Sequence, residues 1–180
     1  MVRQFERENG ATVRQRFFDS DQDRNDRLLQ TDGSGFDVMV VDEGSMGMLV
    51  RRGWLQALGD APIPHRRHVD EKWLNAVPEG PTHGVPYTWG ILGIGYRDDL
   101  VANPPTSWAD LFNPEAALRG RILMLQDPRE LVGMALKSLG HSVNSAEPAE
   151  LDAAEALLRR QKPFVRAYSY VNLTEKSALV

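Results

Sequence analysis

The chain has 180 residues, with 21 Lys+Arg against 25 Asp+Glu and a formal net charge of -4. Hydrophobic residues make up 42% and charged residues 26%, which excludes low-complexity disorder and leaves one domain or two small lobes. No run of about 18 apolar residues is present, mild acidity argues against nucleic acid as the main partner, and the absence of cysteine excludes disulfides and thiolate chemistry.

From the N-terminus, Val2 and Phe5 followed by Gly10 predict the last turns of a helix. Ala11 to Phe18 alternates apolar and charged residues, which predicts a strand with one buried face. Asp19 and Ser20 are N-cap types ahead of a stretch ending in Leu28-Leu29, and Asp32-Gly33-Ser34-Gly35 reads as a turn. Phe36 to Val41 predicts a strand covered on both faces, as in a parallel sheet. Ser45 to Arg52 is helix-like and stops at Gly53. Pro62 to Lys72 reads as a basic surface loop, and Gly84 to Tyr96 as an extended aromatic segment. Thr106 or Ser107 then caps a short helix that carries Trp108, Leu111 and Phe112.

The second half has clearer periodicity. Arg121 to Leu125 predicts a strand, and Asp127 to Leu139 a helix with Leu131, Met134, Ala135 and Leu139 on one face. A further helix is expected from Pro148 to Gln161, with the stripe Leu151, Ala154, Leu157 and Leu158. Phe164 to Tyr168 predicts a strand, and Asn172 or Thr174 opens a last helix. Strands alternating with helices predict α/β layers with mostly parallel sheets.

Three constellations carry chemistry. Asp127-Pro128-Arg129-Glu130 follows a predicted strand and opens a helix, the place where open α/β sheets bind ligands. Two carboxylates at i and i+3 can grip an ammonium group, which offers three donors. Asp at N-cap, Pro at N1 and Glu at N3 equally make a capping box that needs no ligand. Asp42-Glu43-Gly44-Ser45 likewise follows a predicted strand, either as ligand acids or as a polar loop in which Ser45 caps the helix. Tyr87 and Trp89 flank Thr88 and can wall a pocket for a cation or an alkyl chain, or pack in a core.

Other patterns are weaker. His65, His68 and His83 do not have metal-ligand spacing, and Gly90, Gly93 and Gly95 do not fit a nucleotide loop. GxSxG, HExxH and phosphate-loop motifs are absent, so no enzyme, cofactor or metal is expected.

A longer series resembles a known family. It comprises Gly53-Trp54-Leu55, Val85-Pro86-Tyr87-Thr88-Trp89-Gly90, Gly93-Ile94-Gly95-Tyr96, Thr106-Ser107-Trp108-Ala109-Asp110-Leu111, Asp127-Pro128-Arg129-Glu130 and Met134-Ala135-Leu136-Lys137-Ser138-Leu139-Gly140. In order and spacing it is similar to the spermidine/putrescine periplasmic solute-binding proteins. The resemblance implies a periplasmic-binding-protein-like fold of two α/β lobes that close on a ligand, with no enzymatic activity. Residues 1–92 are then part of lobe one, and residues 93–180 the first pass of lobe two. The family's first strand would precede Met1 and its return crossover would follow Val180, so the expectation is about half a receptor, incomplete at both ends.

The resemblance further implies a periplasmic location, a polyamine-like cationic ligand and an ABC permease as partner. Implied ligand residues are Asp127 and Glu130 for one ammonium, Asp42 and Ser45 for further contacts, and Trp89 and Tyr87 for the alkyl chain. The family's Pro-Ser-x-Tyr group is replaced here by Val41-Asp42-Glu43-Gly44. The Asp42-Glu43-Gly44-Ser45 variant, with Leu118-Arg119-Gly120-Arg121-Ile122 and Tyr168-Ser169-Tyr170-Val171-Asn172-Leu173-Thr174-Glu175, is also similar to sensor domains of membrane-bound signalling proteins. The partner is then the protein's own signalling domain, of diguanylate cyclase or histidine kinase type.

Overall fold

A computed structural model describes residues 1–169, and the helix predicted to open at Asn172 or Thr174 lies outside the described residues. The chain divides after Gly90 into two compact units.

The first unit holds helices α1 (Val2–Asn9), α2 (Asp21–Gln30), α3 (Glu43–Arg51), α4 (Glu71–Leu74) and α5 (Gly80–His83). Local capping explains most of their ends. The Ser20 hydroxyl accepts the Asp23 amide at 3.1 Å and starts α2. Closure of α2 brings the Gly33 amide onto the Leu28 carbonyl at 2.8 Å, with Asp32 in the left-handed region at φ 47°. Helix α3 ends the same way, with the Trp54 amide on Leu49 O at 3.0 Å and Gly53 at φ 72°. Leu28, Leu49 and Met46 are buried where α2 and α3 contribute their apolar faces. Helix α4 follows a 3-10 turn at Pro64–His68, so the stretch read as a loop is partly helical.

Two strand expectations in this unit fail. Residues 11–18 and 36–41 form no strand. Phe17 is 85% exposed and Val38 89% exposed, so neither segment has the covered face that its pattern suggested. Alternation sets which side chains share a face, but a strand also needs a neighbour to complete its ladder. No such neighbour is present among the described residues.

The second unit is built as expected around a small parallel sheet. Helix α6 (Trp108–Phe112) precedes strand β1 (Ile122–Met124), which is followed by α7 (Pro128–Ser138), α8 (Pro148–Gln161) and β2 (Val165–Tyr168). Strands β1 and β2 pair in parallel, with Ile122 opposite Val165 and Met124 opposite Tyr168. Parallel neighbours need a long crossover, and α7 and α8 supply it. Phe112, Ile122, Met124, Met134, Ala135, Leu136, Ala154 and Leu157 form one core cluster. Leu139 and Leu151, expected on buried stripes, are instead exposed, and Leu136 and Gln161 take the inward places.

Cap chemistry again fixes the ends. Asp110 Oδ2 accepts the amides of Thr106 at 2.8 Å and Ser107 at 2.9 Å, completing a capping box on α6. Those amide donors hold the exposed Asp110 carboxyl below the usual range. Helix α7 closes with the His141 amide on Leu136 O at 2.9 Å and Gly140 at φ 86°. Among the described residues no helix is long and apolar enough to cross a membrane.

Candidate functional site

The predicted site residues fall into three local groups. Asp42 and Ser45 sit at the start of α3, and Tyr87 and Trp89 lie on an irregular segment of the same unit. Asp127 and Glu130 sit at the start of α7 in the second unit.

Asp42, not Ser45, is the N-cap of α3. Its backbone is extended (φ -73°, ψ 155°), while Ser45 is already inside the helix. One Asp42 oxygen accepts the Ser45 amide at 2.7 Å. The other accepts from the Arg24 guanidinium at 2.7 Å. Arg24 is 3% exposed. It also donates to Asp21, to the Val40 carbonyl at 3.3 Å and to the Ser45 hydroxyl at 3.1 Å. The Asn25 side-chain amide donates to the same hydroxyl at 3.2 Å. Burial raises the Asp42 carboxyl pKa, but bonds from Ser45 and Arg24 and the Arg24 charge outweigh it, so the net shift is downward. The carboxylate thus already answers an internal cation. Arg24 was missed from sequence, although its place four residues before Leu28 puts it on the buried face of α2.

Trp89 is 62% exposed and Tyr87 74% exposed, so neither is packed in a core among the described residues. The Trp89 ring stacks on Trp73 with centroids 5.3 Å apart and planes 16° apart. Trp73 belongs to α4, and the Lys72 ammonium lies 5.1 Å from its ring centroid. Trp73 gave no signal in the sequence, because 16 residues separate it from its stacking partner.

Asp127 is the N-cap of α7, with Pro128 in the first turn, and accepts the Glu130 amide at 3.0 Å. The cap reading of Asp127 is therefore realised. It does not exhaust the group, because an ionised carboxylate has about four acceptor sites. Asp127 begins three residues after the last residue of β1, and both acids are half-buried. They stand at the carboxyl end of a parallel strand, the position at which open α/β sheets in general bind ligands. A groove of about 500 Å³ runs along the other side of α7, lined by Arg129, Val132, Gly133, Val143 and Asn144 and by none of the predicted site residues. No group of three or more His, Asp or Glu able to hold a metal occurs among the described residues.

Comparison with known proteins places the chain in a family. Residues 1–178 match the family described as bacterial extracellular solute-binding protein. A norspermidine sensor from Vibrio cholerae is 34% identical over 171 residues, covering 95% of this chain and 46% of that protein. The spermidine/putrescine-binding periplasmic protein of Escherichia coli is 30% identical over 175 residues, covering 96% of this chain and 49% of its own length. Among solved structures, a spermidine/putrescine ABC transporter substrate-binding protein from Streptococcus pneumoniae superposes with a TM-score of 0.69 at 27% identity, over 93% of this chain and 51% of that one. The fold is accordingly that of the periplasmic binding proteins. The chain spans about half the length of the curated relatives it matches. These relatives are named for binding or sensing, not for catalysis.

Proposed function

The chain belongs to the bacterial extracellular solute-binding protein family, and on that premise we propose that it binds a polyamine or similar cationic amine in the periplasm and serves ABC-type import. The observation that carries the proposal is the acid pair Asp127 and Glu130 on the first turn of α7, just beyond β1. An ammonium group needs acceptors on several sides, and two carboxylates one helical turn apart supply them. Desolvation on binding strengthens such pairs, because Coulomb attraction grows as the local dielectric constant falls.

Within the first unit, Tyr87 and Trp89 are the residues suited to an alkyl chain. Both are exposed, and aromatic faces suit methylene chains and cations alike. Asp42 and Ser45 enter as supports that hold Arg24, since both accept from that guanidinium and Asp42 also accepts from the α3 backbone. No catalytic residue is assigned. The similarity to a protein named norspermidine sensor favours a second reading, in which the same amine site reports to the protein's own membrane signalling domain. Both readings share the ligand chemistry and differ in the partner.

Calorimetric titration separates amine recognition from general apolar binding. Putrescine and spermidine are expected to bind, while 1,4-butanediol, which keeps the chain but loses both charges, is expected not to. Equal binding of the diol, or no binding of either amine, overturns the proposal.

A further inference from the structure

We infer that Trp73 is a positioning residue for Trp89, an assignment that rests on the amine-binding function proposed above. Trp89 lies in a segment with neither helix nor strand, so no ladder fixes its backbone. Its indole is 62% exposed. A ring so placed would sample several rotamers, and a ligand would have to freeze one of them. The stack on Trp73, at 5.3 Å and 16°, selects one orientation before ligand arrives.

Trp73 can do this because it is itself held. It belongs to a helical turn whose start is fixed by the Asp70 side chain accepting the Lys72 amide at 2.9 Å. Its own amide donates to the Asp70 carbonyl at 3.0 Å. Trp73 is half-buried where Trp89 is exposed, so the pair runs from anchor to surface. The Lys72 ammonium already lies within cation–π range of the Trp73 ring and 3.9 Å from an Asp70 oxygen. A cation beside an aromatic face with a carboxylate at hand is therefore an arrangement this unit already uses. Immobilising one side chain accounts for about two- to tenfold in affinity, which sets the size of the effect.

The test uses Trp73→Leu, Trp73→Phe, Trp89→Leu and the double variant Trp73→Leu/Trp89→Leu, titrated calorimetrically with spermidine. Circular dichroism follows the exciton couplet of the paired indoles. The parent is expected to show the couplet, and every variant to lose it. Trp73→Leu is expected to bind spermidine about two- to tenfold more weakly, and Trp73→Phe to restore affinity to within about twofold, because a phenyl ring still stacks. The double variant is expected to bind no more weakly than Trp89→Leu alone, since Trp73 acts only through that ring. The assignment is overturned if Trp73→Leu binds like the parent, if Trp73→Phe fails to rescue it, or if the two losses multiply. A parent that binds no spermidine removes the amine function and this role with it. A parent that binds, together with an unaffected Trp73→Leu, removes the role alone.

Discussion

Arg24 and Asp42 form an ion pair at 2.7 Å in which the guanidinium side chain is 4% exposed and the carboxylate 29% exposed. This contact ties the middle of α2 to the cap of α3. Breaking a buried ion pair is costly, and removing Asp42 leaves Arg24 with Asp21 as its remaining ion-pair partner among the described residues. Asp42→Ala also deletes a helix cap. The expected loss is about 2–3 kcal/mol, combining a charged hydrogen bond with a cap. Urea unfolding of the variant against the parent measures it. A loss below about 0.5 kcal/mol, the size of an ordinary surface substitution, would contradict the support role.

The same pair gives a pH dependence with a definite sign. The folded Asp42 carboxyl titrates below its ordinary value of 3.8. Its stabilising contribution is therefore present above that ordinary value and is lost as pH falls through the lower folded value. Thermal unfolding is expected to show the parent losing stability steeply below about pH 4, the range of free carboxylates. Asp42→Asn begins less stable at neutral pH and loses less over the same acid range. Parallel curves for the two proteins would count against the assignment.

Gly33 tests the turn that links these elements. It follows Asp32 at φ 75°, and a Cβ there would meet the Trp54 ring at 2.2 Å. Gly33→Ala therefore combines an unfavourable backbone region with a clash against an aromatic ring. About 2 kcal/mol of destabilisation is expected. Chemical denaturation with tryptophan fluorescence reports it, and a neutral substitution would show that Trp54 can move aside at no cost.

Much of the second unit was legible because its signals are local. Asp127 as cap, Pro128 in the first turn and Gly140 as stop bound α7 without reference to anything distant. Strand pairing is not local. Ala11 to Phe18 and Phe36 to Val41 have strand-like patterns, yet a pattern does not supply the neighbour that completes a ladder. The cap of α3 went to Asp42 and not Ser45 because the choice depends on which residue first leaves helical backbone angles. The Trp73–Trp89 stack and the Arg24–Asp42 ion pair join residues distant in sequence, so spacing could not announce them.

Gln161 is an instructive case of a buried polar group. It is fully buried, its amide nitrogen donates to the Leu111 carbonyl at 2.8 Å, and its Oε1 has no hydrogen-bond partner among the described residues. Gln161→Met loses the bond to Leu111 and a weak one to Met124 Sδ but also removes an unsatisfied acceptor, so the net change is expected to stay within about 1 kcal/mol. Gln161→Glu removes the donor and brings a carboxyl into the same apolar site, at an expected cost above about 3 kcal/mol at neutral pH. Equal stabilities for the two variants in thermal unfolding would mean that this site is not dry.

Asp127 has two roles that one substitution can separate. Asparagine caps a helix about as well as aspartate, so Asp127→Asn keeps the bond from the Glu130 amide and removes only the charge. Calorimetric titration of that variant with spermidine, beside its thermal unfolding, is the direct test of amine recognition by α7. The expected result is an unfolding midpoint close to the parent's and an affinity at least about tenfold weaker, as for loss of one partner from a desolvated charge pair. An unchanged affinity at unchanged stability would mean that Asp127 only caps α7, and that the amine, if bound, is held elsewhere.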